Sequence, residues 1–278
     1  MNKNYIFYHD DLDGRGSAWC ILKKLGENKS GFHTVLQPIN YSKPFPFDTV
    51  DKDSAVYIVD CAPTVEEMTS LYKITEKVIW IDHHISSMDK FRDFYREIRG
   101  LRQSNHSACV LTWNYLFSHP SPMSLQYIED IDIWQWKYGN DTRFFYAGAC
   151  SYDTNPSSEF WEDHMEGTKI ISLIEEGKIV ERYRNLEFKE YREKSGYRVE
   201  WEGNKCFVLN TYHAGSDDLG GEKMMETCPV LISYYYNGEN YMVSLYSKTV
   251  NVSELAVKYG GGGHKCASGF KCNKLPWE

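Results

Sequence analysis

Three short apolar runs, each ending on an acid or an imidazole, restrict this chain more than any other feature. Tyr5-Ile6-Phe7-Tyr8 leads into His9-Asp10-Asp11-Leu12-Asp13-Gly14, Val56-Tyr57-Ile58-Val59 into Asp60, and Val78-Ile79-Trp80-Ile81 into Asp82-His83-His84. Short continuous apolar runs of this kind suit strands that are buried on both faces. Helical signals lie between them. Gly14-Arg15-Gly16-Ser17 precedes a periodic stretch from Ala18 to Leu25, Thr64 stands where it can cap a helix running through Glu66, Glu67, Leu71 and Tyr72, and Ser107 to Phe117 reads as a buried helix. Such alternation predicts the α/β class: a parallel sheet with helices on both faces and functional groups gathered at the carboxyl ends of its strands.

The pattern changes further along. Residues 168–196 form a charged amphipathic stretch without proline, expected as a linker helix between a domain at 1–167 and a smaller α+β domain at 197–278. In the latter, strands are expected at 197–201, 206–209, 230–236 and 241–246, with Asn237-Gly238 as a hairpin turn.

At 278 residues the chain has room for two modest domains, each with its own core. No segment approaches the length and apolarity of a membrane span, and the N-terminus has no signal-peptide pattern, so the expectation is a cytoplasmic protein with no membrane partner. The eight cysteines contain no C-x-x-C pair and read as reduced thiols, mostly in the core. A net charge of −8 argues against sequence-blind binding of a long polyanion by the whole surface. The negative excess falls in the first 196 residues, because residues 197–278 hold eight Lys/Arg against nine Asp/Glu. An anionic substrate must then meet a local positive site, which bound divalent metals supply.

The acidic strand ends suggest where those metals sit. In His9-x-Asp11-x-Asp13, alternate residues of an extended segment face the same way, and Asp60 arrives from a second strand. One carboxylate can bridge two cations, and a cation pair clamps the attacking and leaving oxygens of a phosphoryl displacement. Mixed carboxylate and imidazole ligands suit manganese, with magnesium or cobalt as substitutes. Taken singly, each of these residues is more simply a helix cap or a satisfied polar group; together, at three strand ends, they point to a metal site.

The set His9-x-Asp11-x-Asp13-Gly14, Asp60, Asp82-His83-His84 and a later aspartate resembles the motifs of the DHH phosphoesterase superfamily, which includes manganese pyrophosphatases, single-strand exonucleases and oligoribonucleases. Gly260-Gly261-Gly262-Gly263-His264-Lys265-Cys266-Ala267-Ser268-Gly269-Phe270 is similar to the glycine-rich signature of that superfamily's associated C-terminal domain. The resemblance implies two divalent ions: His9, Asp11 and Asp60 on one, and Asp13, Asp60, His83 and the fourth-motif aspartate on the other. For that aspartate, Ile128-Glu129-Asp130-Ile131-Asp132 offers two candidates, and Asp130 is preferred because it follows the apolar run more directly. The resemblance places His84 against the substrate phosphate and Asp82 behind an imidazole. It also implies a substrate clamp from Gly261, Gly262, Gly263 and His264. Relatives often carry an arginine in the preceding strand where this chain reads Ser244-Leu245-Tyr246-Ser247-Lys248, so Lys248 is the candidate substitute. Residues Arg102 to His106 are further phosphate-binding candidates, and Trp134, Trp136 and Tyr212 are candidates for contact with a base.

The resulting expectation is a metal-dependent phosphodiesterase acting on short oligonucleotides or nucleotides, without a stable long nucleic-acid partner. Alternatives are a cyclic mono- or dinucleotide phosphodiesterase, a single-strand exonuclease, or a catalytically silent nucleotide sensor.

Overall fold

The computed structural model describes residues 3–27, 33–39, 44–212, 214–263 and 265–278. Its contacts divide the chain into two compact units, residues 1–180 and 181–278.

The first unit begins β1 (Lys3–His9), α1 (Leu12–Glu27), β2 (His33–Ile39), β3 (Ala55–Val59), α2 (Val65–Tyr72), β4 (Val78–Ile81), α3 (Ile85–Lys90). Four more helices follow: α4 (Ala108–Leu116), α5 (Met123–Asp132), α6 (Asn140–Ala149) and α7 (Phe160–Asp163). The four strands form one parallel sheet in the order β2-β1-β3-β4. Side chains along β1 alternate between two apolar layers. Tyr5 and Phe7 pack with Met68 and Leu71 of α2, whereas Ile6 and Tyr8 pack with Ala18 and Ile21 of α1 and Leu111 of α4. Both faces are therefore covered, which explains why the strand sequences lack polar alternation. A further cluster around Trp19, Trp113, Phe145 and Trp161 ties α1 and α4 to the later helices.

Local chemistry sets the element ends. Thr64 forms a complete capping box with Glu67: its hydroxyl accepts from the Glu67 N–H at 3.2 Å, and its own N–H donates to the Glu67 carboxylate at 2.8 Å. The outer edge of β4 is not bare, because Trp80 N–H donates to Arg99 C=O (2.8 Å) and Asp82 N–H to Leu101 C=O (3.1 Å). Gly100 allows that close approach, with φ +124° and no Cβ to strike the Trp80 carbonyl oxygen.

A 28-residue helix, α8 (Thr168–Ser195), contains the division between the units. The second unit holds β5 (Tyr197–Trp201), β6 (Asn204–Asn210), α9 (Gly221–Met225), β7 (Val230–Tyr236), β8 (Tyr241–Tyr246), α10 (Val252–Lys258), β9 (Gly262–Gly263) and β10 (Ala267–Cys272). Its sheet runs β5-β6-β7-β8-β10-β9 and is antiparallel except for the β6/β7 pair. This is the expected α/β protein with a parallel-sheet first domain and a second sheet domain. No helix among the described residues is long and apolar enough to cross a membrane. Among the described residues no cysteine forms a disulfide, and most of the eight are buried.

Candidate metal centre

Strand order decides which acids meet. The chain crosses from β2 over β1 to β3, so the switch point of the sheet lies between β1 and β3, where open α/β sheets leave a crevice. Tyr8 is level with Val59, and Val59 with Ile81, so His9, Asp60 and Asp82 leave the sheet side by side. Asp60, coming from the middle strand, stands between the other two groups. It is 1% exposed and takes φ +56°, a left-handed conformation uncommon for a non-glycine residue and often found at functional sites. Its Oδ2 lies 3.6 Å from His9 Nδ1 and its Oδ1 3.3 Å from His83 Nε2. One carboxylate thus addresses two groups of ligands.

The β1–α1 junction corrects one expectation. Asp11 and Asp13 were expected on an extended segment, but α1 begins at Leu12, so Asp13 comes from its first turn and Asp11 immediately precedes it. Asp11 Oδ2 lies 2.7 Å from His9 Nδ1, while its Oδ1 accepts the Gly14 N–H at 2.9 Å. The buried Asp13 accepts N–H groups from Ala108 (2.8 Å) and Cys109 (2.9 Å), at the N-terminus of α4. That helix end favours a carboxylate and holds it in place. Gly14 is required here, because a Cβ would lie 2.1 Å from the His9 carbonyl oxygen.

The structure separates the two candidates for the fourth-motif aspartate. Asp130 is buried, and its carboxylate accepts the N–H of Lys137 (2.7 Å) and Tyr138 (3.2 Å) as well as the Thr142 hydroxyl. It organises the turn after α5 and does not join the cluster. Asp132 does, with Oδ2 3.4 Å from His83 Nε2. Helical spacing does not separate the two, because Asp132 falls four residues after the buried Ile128 and Asp130 three after the buried Tyr127.

Behind the cluster, Asp82 is fully buried. Its Oδ1 accepts from the backbone N–H of His83 (2.8 Å) and His84 (3.3 Å) and lies 2.8 Å from His84 Nδ1. The imidazole that it orients is therefore His84. Burial works against the charged His84 ring, but the hydrogen bond and charge of Asp82 outweigh it and raise the pKa.

Three sets of ligand atoms each lie within 4.8 Å of one another: His9, Asp11, Asp60; Asp13, His83, Asp132; and Asp60, His83, His84. Two buried oxygens within them, Asp60 Oδ1 and Asp132 Oδ2, have no hydrogen-bond partner among the described residues. Unpaired buried carboxylate oxygens are costly, so their convergence fits a cation. Burial and the charge of Asp13 push Asp60 well above the ordinary carboxylate range and raise Asp132 to about 9. Burial opposes charge at His9 and Asp11 too, but their mutual hydrogen bond prevails, raising His9 to about 10 and lowering Asp11 to about 2. Oxygen and imidazole donors without thiolate suit manganese, magnesium or cobalt.

Other candidates stand apart from this cluster. Arg102 donates to the carbonyls of Trp80 (2.8 Å) and Ile98 (2.7 Å), bracing β4, and His106 Nδ1 lies 2.7 Å from Glu129 Oε1. In the second unit Lys248 pairs with Glu222, and the Tyr246 hydroxyl donates to Ala214 C=O at 2.9 Å. The glycine run is more ordered than a bare anion cradle. Gly260 and Gly261 N–H groups donate to Val257 and Ala256 carbonyls, both at 3.0 Å, closing α10, and Gly262 and Gly263 pair with Gly269 and Ser268. His264 lies outside the described residues.

Residues 3–131 match the DHH family, N-terminal domain. The match lies wholly within the first unit and covers a little under half of the chain. Oligoribonuclease NrnB of Bacillus subtilis is 23% identical over 99% of this chain and 74% of its own length. Among solved structures, the DHH domain of a member of the s1p family of ribosomal proteins aligns with a TM-score of 0.62 and 12% identity, over 96% of this chain and 82% of that one. Exonuclease RecJ bound to manganese aligns with a TM-score of 0.50 and 14% identity, over 96% of this chain and 85% of that one. These DHH structures share the fold.

Proposed function

We propose that this DHH-family protein is a metal-dependent phosphodiesterase that hydrolyses short oligonucleotides. The observation that carries the reading is Asp60, whose two oxygens address separate ligand sets from the central strand. His9, Asp11 and Asp60 would hold one divalent cation, and Asp13, Asp60, His83 and Asp132 a second. When bound, such a pair draws a phosphoryl group to the acidic site and acidifies water for in-line attack. The chain's own contribution is positional. The α4 N-terminus fixes Asp13, the left-handed turn after β3 aims Asp60, and Asp82 orients His84 so that its Nε2 can meet a phosphoryl oxygen. Manganese is the favoured ion on ligand chemistry, and the fold is shared with a manganese-bound exonuclease.

Short substrates are favoured by the similarity to an oligoribonuclease along nearly the whole chain and by the net charge of −8, which resists a long polyanion. In the second domain, Lys248 and the segment Gly261 to His264 are proposed as substrate-binding residues. The test is turnover of RNA and DNA from two to about 24 nucleotides, beside cyclic nucleotides and pyrophosphate, with manganese and after EDTA. The reading predicts EDTA-sensitive activity that peaks at two to about five nucleotides. Equal or better cleavage of the longest strands would overturn the short-substrate reading.

A further inference from the structure

The turn that follows Asp132 has no part in holding metal, yet it is built with unusual care. Trp134 and Trp136 both adopt positive φ, +57° and +56°. With Asp60 they make three of the five non-glycine residues in that conformation among those described, so the backbone strain concentrates around this site. Asp130 holds the turn from beneath: its backbone carbonyl accepts from Gln135 at 3.0 Å, and its buried carboxylate accepts from Lys137, Tyr138 and Thr142. What the turn presents is aromatic. Trp134 is 63% exposed, an unusual placement for the side chain with the most apolar area to bury. Its ring meets that of Trp136 edge-on at 5.8 Å, and the Arg143 guanidinium lies 5.1 Å from the far ring. Arg143 thus lies over Trp136, and Trp136 in turn supports Trp134, whose own surface stays largely open to solvent.

One residue, Ile133, separates Trp134 from Asp132, so their Cα atoms are at most about 7 Å apart. That is the scale of one nucleotide. That spacing would let one nucleotide place its phosphate at the Asp132 end of the cluster and its base toward the turn that carries Trp134. We propose that Trp134, braced by Trp136 and Arg143 and held up by the Asp130 turn, is a stacking platform for a nucleobase of the substrate. This rests on the phosphodiesterase reading for its substrate class. Stacking tolerates every base because each offers a π-face, so the platform selects nucleotides over other phosphodiesters without selecting sequence.

The test uses the full-length protein with magnesium. Binding of a nucleoside 5′-monophosphate, followed by calorimetry, should weaken about tenfold or more in Trp134→Ala and stay close to wild type in Trp134→Phe, which keeps an aromatic face. In parallel, the ratio of kcat/KM for a ribodinucleotide to that for the same dinucleotide without bases should fall about tenfold in Trp134→Ala. The position is exposed, so the substitution removes little packing, and circular dichroism of the variant checks that the fold is kept. Equal monophosphate binding by wild type and Trp134→Ala, or an unchanged substrate ratio, overturns the platform and leaves the hydrolytic reading standing. If wild type cleaves no phosphodiester while Trp134→Ala still weakens monophosphate binding, the hydrolytic reading fails and the platform stands. Absence of both binding and turnover in wild type overturns both.

Discussion

Asp60 sits where three strand ends meet, and no amide can replace it there. Asp60→Asn would lose the charge that attracts both cations and half of the bridging oxygens, so turnover should fall by at least about a thousandfold, a loss typical of removing a principal electrostatic group. Elemental analysis of the purified variant should show less than the wild-type metal content; full occupancy with full turnover would sink the bridging assignment. The two aspartates of α5 should separate cleanly. Asp132→Ala is expected to lose metal and turnover while keeping the fold, since it frees a buried oxygen with no partner. Asp130→Ala should instead cost about 2–3 kcal/mol of stability, because the buried Thr142 hydroxyl and two N–H groups of the following turn lose their acceptor. Denaturant titration beside metal analysis distinguishes these outcomes. Protonation supplies another check. In the metal-free protein Asp132 is raised to about 9 and His9 to about 10, so their favourable contributions exist at low pH and are lost as pH rises through those values. The metal-free fold should weaken from the ordinary carboxyl range toward pH 9, and metal addition near neutral pH should release about one proton or more. Calorimetry in buffers of different ionisation enthalpy measures that release.

At the scale of elements, the β1–α1 junction leaves no room for a side chain at Gly14. Gly14→Ala places a methyl group 2.1 Å from the His9 carbonyl oxygen, on rigid backbone. The variant should lose metal binding before it loses its helices, visible as depleted metal with a retained far-ultraviolet spectrum; wild-type metal content would show that the junction relaxes. Elements whose signal is local were legible in the sequence. The capping box at Thr64, the strands at 5–8, 56–59 and 78–81, the helix at 107–117 and the hairpin at Asn237-Gly238 all rest on neighbouring residues. The start of α1 was not legible, because Asp13 and Gly14 look like turn formers until the packing of α1 on α4 draws them into a helix. β2 was missed as well. It is an edge strand carrying Pro38, and edge position is what makes proline tolerable there.

For the whole molecule, all residues proposed to hold metal fall in the unit ending at residue 180, which has its own apolar clusters, while the second unit has others. Manganese should therefore slow hydrogen exchange at residues 3–27 and 55–132 and leave the strands of 197–278 little changed; equal protection throughout would place a ligand in the second unit. Chemistry and its carriers were written in the residues. Acid and imidazole at the ends of apolar runs, in a fixed order along the chain, identify the class of fold and the kind of ligand, since both depend on composition within a few residues. Only the tertiary structure chose between Asp130 and Asp132, sent Arg102 to backbone carbonyls, and tied the glycine run into α10 and β9. Each of those outcomes turns on where a side chain or an N–H group finds its partner. Partners such as Ala108 for Asp13, 95 positions along the chain, are set by the packing of whole elements.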